Sequence, residues 1–191
     1  AIINGEEETG YTIFQIEKSV DTGDMLKQEK IEIGDTATCE EIHDRLAELG
    51  AEGMLEVLDK LEKKALEPVP QNDQKATKAP KINSKMGKLD WSKDAISIKN
   101  WINGLSPYPG AFSYFKGKRI KFLRAQAITE NSDKEPGEIA FIKDDQMGIQ
   151  TGDGMLLPLE LQKAGKQALQ IKDFINGFNG KVGDEFSAKR S

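Results

Sequence analysis

The sequence has very few of the residues that build metal and redox sites. It contains one histidine, His43, and one cysteine, Cys39, among 191 residues. Because structural zinc sites take about four thiolate or imidazole ligands, we expect no such site and no metal cofactor. A single cysteine also excludes an internal disulfide, which is typical of a reducing compartment, so we expect a cytoplasmic protein.

Long apolar runs are also missing. No stretch approaches the roughly 20 apolar residues of a membrane-spanning helix. The N-terminus has neither a basic region nor an apolar region, so we expect no signal peptide. Charged residues make up 31% of the chain and hydrophobic residues 37%. This composition indicates a soluble protein with one large domain or two small ones.

Charge is divided unevenly along the chain. Residues 1–80 carry 9 Lys and Arg against 19 Asp and Glu, a net charge of −10. Residues 81–191 carry 18 Lys and Arg against 13 Asp and Glu, a net charge of +5. The division favours two domains with different partners, and the second half could face a polyanion or simply have a basic surface.

The first third of the chain shows the order strand, strand, helix. Two β-type runs, Tyr11 to Ile16 and Met25 to Ile33, flank a turn that presents Asp21. A helix is predicted to begin at Thr38, which forms a capping box with Glu41. The apolar residues of this helix recur at helical spacing: Ile42, Leu46, Leu49, Gly53, Leu58 and Leu61. This order fits the end of an α/β domain.

Residues 65–83 are predicted to form a linker, because Pro68, Pro70 and Pro80 deny a continuous helix. A helix follows, with Ser92 as its predicted N-cap. Five short strands then succeed one another, which indicates a small β-barrel. They are predicted at Ala111 to Phe115, Arg119 to Ala127, Gly137 to Lys143, Gly148 to Thr151 and Met155 to Leu161. A last helix is predicted from Ile171 to Phe178.

Asp21 is the first candidate for chemistry. A carboxylate at the end of a strand is able to orient a proton carrier or to relay a proton. An acid before Thr-Gly also commonly forms an Asx-turn, and spacing alone favours that structural role. An aspartic protease would need a second Asp-Thr-Gly, which Thr151-Gly152-Asp153-Gly154 does not supply. His43 has acidic neighbours and is predicted to be a solvated helix residue.

Two groups of basic residues are candidates for phosphate contacts. Lys118, Arg119 and Lys121 lie on a predicted strand, where alternation places Arg119 and Lys121 opposite Ile120 and Phe122. Such cations either contact phosphates or protect the edge of a sheet. The second group lies around the end of the linker: Lys78, Lys81, Lys85 and Lys88.

A series of motifs in order along the chain resembles the folate-dependent formyltransferase family. The resemblance runs from residue 4 to about residue 184. It begins with Asn4-Gly5, Glu8-Thr9-Gly10-Tyr11-Thr12 and Val20-Asp21-Thr22-Gly23-Asp24-Met25-Leu26, and it includes Ala79-Pro80-Lys81-Ile82. It continues through Leu89-Asp90-Trp91-Ser92, Pro107-Tyr108-Pro109-Gly110-Ala111, Thr151-Gly152-Asp153-Gly154 and Leu161-Gln162 with Gly165-Lys166. It is greatest to the members that formylate the methionyl group of initiator tRNA in translation initiation.

The resemblance implies three regions: the C-terminal part of a Rossmann-like catalytic domain at 1–64, a linker at 65–83, and an OB-like β-barrel at 84–191. It implies 10-formyltetrahydrofolate as formyl donor and initiator Met-tRNA as acceptor. Asp21 matches the aspartate of a catalytic Asn, His and Asp centre. The loop before it, with Ile16, Glu17 and Val20, matches a wall of the pterin pocket. The residues implied to bind tRNA are Lys81, Lys118, Arg119 and Lys121.

The sequence also departs from the family pattern, because it has no Asn-x-His motif and His43 stands elsewhere. We therefore expect that the N-terminal part of the catalytic domain is missing, that these residues alone transfer no formyl group, and that the full-length protein is a monomer. Two other hypotheses stay open. One is a sugar-nucleotide formyltransferase or formyltetrahydrofolate hydrolase domain, and the other is a non-catalytic tRNA-binding module.

Overall fold

The computed structural model describes residues 1–187, which divide into two compact units. The hairpin unit consists of Glu7–Ile33 and Glu41–Lys81. The sheet unit consists of Ala1–Glu6, Gly34–Glu40 and the chain from Ile82 onward. The two units are described separately. The domain boundaries expected from the sequence remain predictions.

Two strands and one long helix make up the hairpin unit. Strands β1 (Glu8–Phe14) and β2 (Met25–Glu32) pair antiparallel, with Glu8 opposite Glu32. Helix α1 (Cys39–Glu62) begins one residue after Thr38, as the capping signal predicts. Lys27 of β2 joins the hairpin to the helix, because its Nζ lies 2.7 Å from a carboxylate oxygen of Glu56. This bond lowers the pKa of Glu56.

Helix α1 packs on the hairpin through two residues one turn apart. Gly53 and Val57 are its buried residues, and a Cβ at Gly53 would collide with the Tyr11 hydroxyl. The predicted apolar stripe is wrong at its C-terminal end, because Leu58 is 51% exposed and Leu61 42% exposed. Leu58 is exposed because it lies about 100° further around the helix than Val57, whereas Leu61 follows Val57 on the same face but lies in the last turn, just before the helix ends at Glu62.

Within residues 1–187, the sheet unit contains seven strands, two α-helices and two short 3-10 helices, Ile2–Asn4 and Ser84–Gly87. The α-helices are α2 (Ala95–Gly104) and α3 (Ile171–Asn176). The strands are β3 (Ala111–Phe115), β4 (Lys118–Ile128), β5 (Ile139–Lys143), β6 (Gln146–Gln150), β7 (Met155–Lys163), β8 (Ala168–Gln170) and β9 (Phe186–Ser187). Their order across the sheet is β5-β6-β7-β4-β3-β9, with β8 paired to β7, and every strand pair is antiparallel.

The five predicted strands are therefore confirmed, each with ends within about two residues of the prediction. Strands β8 and β9 were not predicted, because two or three residues are too short for alternation to show. The predicted cap of α2 is wrong. Asp94 caps this helix by accepting a hydrogen bond from the Ser97 N–H at 2.8 Å, which lowers the pKa of Asp94. Ser92 instead donates its hydroxyl to Asp90.

One hydrophobic core fills the sheet unit. Trp91 packs edge-on to Phe122 with ring centroids 5.5 Å apart, and its indole N–H donates to the Ser113 hydroxyl at 3.0 Å. Trp91 is thus a residue of the core, 5% exposed. The fully covered side chains of this core include Ile102, Phe122, Ile139, Met147, Ile149, Leu156, Leu161 and Phe186.

A polar residue of α2 completes the core at an irregularity of the sheet. Strand β4 changes register against β7 on both sides of Arg124. The Asn103 amide fills the hydrogen-bonding gap, since its nitrogen donates to the Ala125 carbonyl at 3.0 Å and its oxygen accepts from the Ala125 N–H at 2.9 Å. The helix is thereby fixed to the middle of β4.

Candidate functional site

Asp21 lies in the loop that joins β1 to β2. Its backbone adopts a left-handed conformation, with φ of 56°, and its side chain is exposed. The loop is closed by a hydrogen bond from the Gln15 N–H to the Asp24 carbonyl at 3.0 Å. Gly23 is required there, because a Cβ would collide with the Gln15 carbonyl oxygen. The loop therefore holds a solvated carboxylate on a constrained backbone.

Gln71 clamps this loop from a distant part of the sequence. Its side-chain nitrogen donates to the Asp21 carbonyl at 2.9 Å and to the Gly23 carbonyl at 2.8 Å. Two residues earlier, Val69 and Met25 exchange backbone hydrogen bonds of 2.7 and 2.9 Å. This part of the predicted linker thus supports the Asp21 loop. Sequence analysis missed Gln71, because nothing local distinguishes it from its polar neighbours.

Replacing Gln71 with alanine is expected to speed amide hydrogen exchange in residues 15–24 by about tenfold. The change removes two hydrogen bonds, each worth about 0.5–1.5 kcal/mol. Exchange followed by mass spectrometry measures this effect. Gln74→Ala is the matched control, since no side-chain hydrogen bond of Gln74 is found among residues 1–187. Equal exchange in the two variants would show that Gln71 does not hold the loop.

Two apolar side chains of the same loop stand almost fully in solvent. Ile16 is 96% exposed and Val20 86% exposed, and Glu17 between them is also exposed. Large apolar side chains this open within one loop are suited to packing against a flat apolar group. The three predicted cofactor residues therefore share the loop of Asp21 and are available to a ligand.

His43 is not brought into this loop. It lies on the exposed side of α1, where its Nδ1 is 3.0 Å from the Asp44 carboxylate. The prediction of a solvated helix residue is confirmed. Cys39, the first residue of α1, is exposed and unbridged. Within residues 1–187 no group of three or more His, Cys, Asp or Glu side chains is arranged to hold a metal ion.

The predicted basic strand is β4, and its alternation is confirmed. Ile120 and Phe122 are buried in the core, whereas Arg119 is exposed and Lys121 half-buried on the opposite face. The Arg119 guanidinium carbon lies 3.8 Å from the centre of the Phe112 ring. The cation is thus held by an aromatic ring from β3 while its charge stays open to solvent.

A groove of about 970 Å³ runs beside the β3–β4 hairpin. It is lined by the cationic side chains of Lys116, Lys118, Arg119, Lys163 and Lys166, and by no carboxylate. Lys116 is paired with Asp184 at 2.9 Å, and Lys163 donates to the Gly177 carbonyl at 2.8 Å. In the described part of the chain, neither Lys118 nor Lys166 has an acidic partner.

The groove adds three cationic residues that were not proposed from the sequence to bind tRNA. Lys116 lies in the turn between β3 and β4. Lys163 ends β7, and Lys166 lies in the turn before β8. Lys163 and Lys166 follow the Leu161-Gln162 motif. They are about 45 residues from Lys118 in the sequence, so the sequence alone does not show that all three line one groove. The register supplies the explanation, because β4 pairs with β7 and Lys163 lies opposite Ile120.

Lys81 is the last residue of the hairpin unit. It is exposed and belongs to neither a helix nor a strand. Lys78, Lys85 and Lys88 are exposed as well. The basic stretch found in the sequence is therefore open to solvent along its length.

The Thr151-Gly152-Asp153-Gly154 loop is a structural connection. Its carbonyl at Asp153 accepts from the Ala95 N–H, and the Gly152 N–H donates to the Lys93 carbonyl, both at 2.8 Å. A Cβ at Gly152 would collide with the Ser92 carbonyl oxygen. These bonds fix the start of α2, and the loop is occupied by its contacts within the fold.

The chain matches two family descriptions. Residues 81–179 match "Formyl transferase, C-terminal domain", and residues 1–58 match "Formyl transferase". None of the helices described here has both the length and the apolar character needed to cross a bilayer.

Known proteins show the same relationship. The methionyl-tRNA formyltransferase of Caldanaerobacter subterraneus subsp. tengcongensis is 39% identical over 179 residues, which cover 94% of this chain and 58% of that protein. The chain thus spans less than two thirds of the length of this relative. Two solved structures share the fold. HypX from Aquifex aeolicus in complex with tetrahydrofolic acid has a TM-score of 0.69 at 23% identity, covering 96% of this chain and 33% of that one. WlaRD, a sugar 3N-formyl transferase, has a TM-score of 0.67 at 18% identity, covering 87% and 58%.

Proposed function

Because the chain belongs to the formyl transferase family, we propose that it serves to transfer a formyl group from 10-formyltetrahydrofolate to the methionyl amino group of initiator Met-tRNA. The basic groove beside β4 is the observation that carries the choice of a polyanionic acceptor. Identity to methionyl-tRNA formyltransferases supports the same choice. On this proposal the protein acts in translation initiation in the cytoplasm, as a monomer at full length.

The Asp21 loop is the proposed catalytic and folate-binding part of the chain. The exposed side chains of Ile16 and Val20 offer an apolar wall that fits a flat pterin ring. Glu17 lies between them. When bound, the folate supplies the formyl group. The Asp21 carboxylate is proposed to orient a histidine and stabilise its protonated form. The hydrogen bonds from Gln71 hold the backbone that carries this carboxylate.

Formyl transfer is proposed to need a histidine other than His43. This single histidine of the sequence is exposed on α1 and contacts Asp44. We therefore expect no formyl-methionyl-tRNA from the 191 residues by themselves. A steady turnover by the purified chain with 10-formyltetrahydrofolate and Met-tRNA would contradict this expectation.

The sheet unit is proposed to be an OB-like barrel that binds the tRNA. Arg119, Lys121 and Lys118 present cations along β4, and Lys81 adds one at the end of the hairpin unit. These cations are proposed to contact phosphates and not base edges, which would position the tRNA without reading its sequence.

A sugar-nucleotide formyltransferase is the second candidate, favoured by the likeness of fold to WlaRD. The two candidates differ in the charge of the acceptor. A sugar nucleotide carries two phosphates, whereas a tRNA engages many cations along a groove, so its affinity falls more steeply with salt.

Competition binding decides between them. Labelled initiator Met-tRNA is bound to the 191-residue chain, and unlabelled tRNA or a dTDP-sugar is added. We expect tRNA to displace the label and the dTDP-sugar to leave it bound. Displacement by the dTDP-sugar at concentrations near that of the chain would favour the second candidate.

A further inference from the structure

Tyr108 is unusual among the aromatic residues of this chain. Its side chain is 83% exposed, and it is the one aromatic ring among the exposed large apolar side chains of residues 1–187. Every other aromatic residue in that range is buried or half-buried. An aromatic ring this exposed contributes little to the packing of the fold.

The turn that carries Tyr108 is firmly anchored. Prolines precede and follow it, which fixes φ on both sides. The turn is closed by a hydrogen bond from the Gly110 N–H to the carbonyl of Leu105, a fully buried residue, at 2.9 Å. The ring is therefore held out from a rigid support, and little conformational entropy is lost when a ligand covers it.

A lysine lies directly beside this turn. A Cβ built at Gly110 would be 3.1 Å from the Lys121 Nζ, so the ammonium group packs against a residue two positions from Tyr108. From Lys121 the cations continue along β4 to Arg119 and Lys118 and then into the basic groove. Residues 95–129 hold six Lys and Arg and no Asp or Glu.

We propose that Tyr108 is a nucleobase-stacking residue and that, with Lys121, it binds an unpaired nucleotide of an RNA strand. The base covers the ring, and Lys121 neutralises the adjoining phosphate. The strand then follows the β3–β4 hairpin toward the groove. The turn lies six residues before Tyr114 at the groove, or about 20 Å at the rise of a β-strand. The proposal rests on the proposed function in one respect, that the ligand is RNA.

Fluorescence anisotropy with two labelled probes tests the proposal on the whole 191-residue chain. One probe is a ten-nucleotide single-stranded oligouridine, and the other is a blunt ten-base-pair RNA duplex. Tyr108→Ala is expected to weaken single-strand binding by about 5- to 150-fold, the effect of removing one base–aromatic stack. Binding of the duplex, which offers no unpaired base, is expected to change less than twofold.

Three further variants identify the chemistry. Tyr108→Phe keeps the ring and should bind like the wild-type chain, whereas Tyr108→Leu keeps an apolar side chain and should be as weak as Tyr108→Ala. The salt dependence should be unchanged in Tyr108→Ala, because no charge is lost. Lys121→Ala should lower the slope of log affinity against log salt by about 1. A melting temperature for each variant shows that it is folded.

The outcomes separate this inference from the proposed function. If the wild-type chain binds initiator tRNA and Tyr108→Ala binds the single strand equally well, only the stacking role is overturned. The stacking role would also be overturned if Tyr108→Ala lost affinity equally for the duplex and for the single strand. It would likewise be overturned if Tyr108→Leu bound the single strand as well as the wild-type chain does, and Tyr108 would then be assigned to an apolar contact with a protein. If the wild-type chain binds neither tRNA nor oligouridine, both proposals fail.

Discussion

Replacing Asn103 with alanine is expected to lower the free energy of unfolding of the sheet unit by about 2–6 kcal/mol. The side chain is 1% exposed and makes two hydrogen bonds to the backbone of Ala125. Alanine leaves a buried N–H and a buried carbonyl without partners, at about 1–3 kcal/mol for each group. Urea unfolding followed by the fluorescence of Trp91 and Trp101 measures the loss.

Two variants of α2 make this expectation specific. Asn100→Ala is the same chemical change in the same helix. Within the described residues the Asn100 side chain makes no hydrogen bond, so its effect should stay below about 1 kcal/mol. Asn103→Asp retains an acceptor, loses the donor and buries a carboxylate.

The pH dependence of Asn103→Asp has a definite sign. Burial raises the pKa of the introduced acid above its unfolded value of about 3.9. The folded state then binds more protons, so stability is highest below that value and falls as the pH rises through the folded pKa.

A decrease of less than about 1 kcal/mol in the free energy of unfolding of Asn103→Ala would contradict the role of the amide.

Local periodicity predicted the parts of the fold that depend on neighbouring residues. The alternation of Arg119 and Lys121 with Ile120 and Phe122 identified both the strand and its buried face, and the structure confirms it. The capping signal located the start of α1. These features are set by backbone periods of about 2 and 3.6 residues, which the sequence displays directly.

Features that depend on distant residues were not visible in the sequence. Asn103 is needed because β4 changes register against β7, and that irregularity belongs to the pairing of two strands and not to either one. Gln71 contacts a loop 48–50 residues away. Leu58 of α1 was assigned to the core by its spacing, yet it is exposed, because the buried face of the helix runs through Gly53 and Val57.

The candidate site shows the same division. Asp21, Ile16 and Val20 lie within six residues of one another, so a short motif could point to them together. The groove joins Lys118 of β4 to Lys166 beyond β7, and only the antiparallel pairing of those strands brings them to one surface. The basic residues predicted on one strand therefore include two of the five cations that line the groove.

Removing the three open cations of the groove is expected to have the largest effect on tRNA binding. In the triple variant Lys118→Ala, Arg119→Ala and Lys166→Ala, affinity for initiator tRNA should fall by about 100- to 500-fold at 0.1 M salt. Each phosphate contact contributes about 0.9 to the slope of log affinity against log salt concentration. At 0.1 M salt, one such contact therefore raises the affinity about eightfold relative to 1 M salt, and the loss of two or three contacts multiplies this factor. The slope itself should decrease by about 2–3.

A second triple variant separates local contact from net charge. Lys134, Lys143 and Lys172 belong to the same unit, and each lies within 3.6 Å of an aspartate carboxylate oxygen. Their replacement by alanine removes the same charge from surface ion pairs, which contribute little to stability. Because these lysines are already compensated by their aspartates and lie outside the groove, affinity should fall less than about fivefold. Equal losses in the two triple variants would mean that only the total charge attracts tRNA, and the groove would lose its assignment as the binding surface.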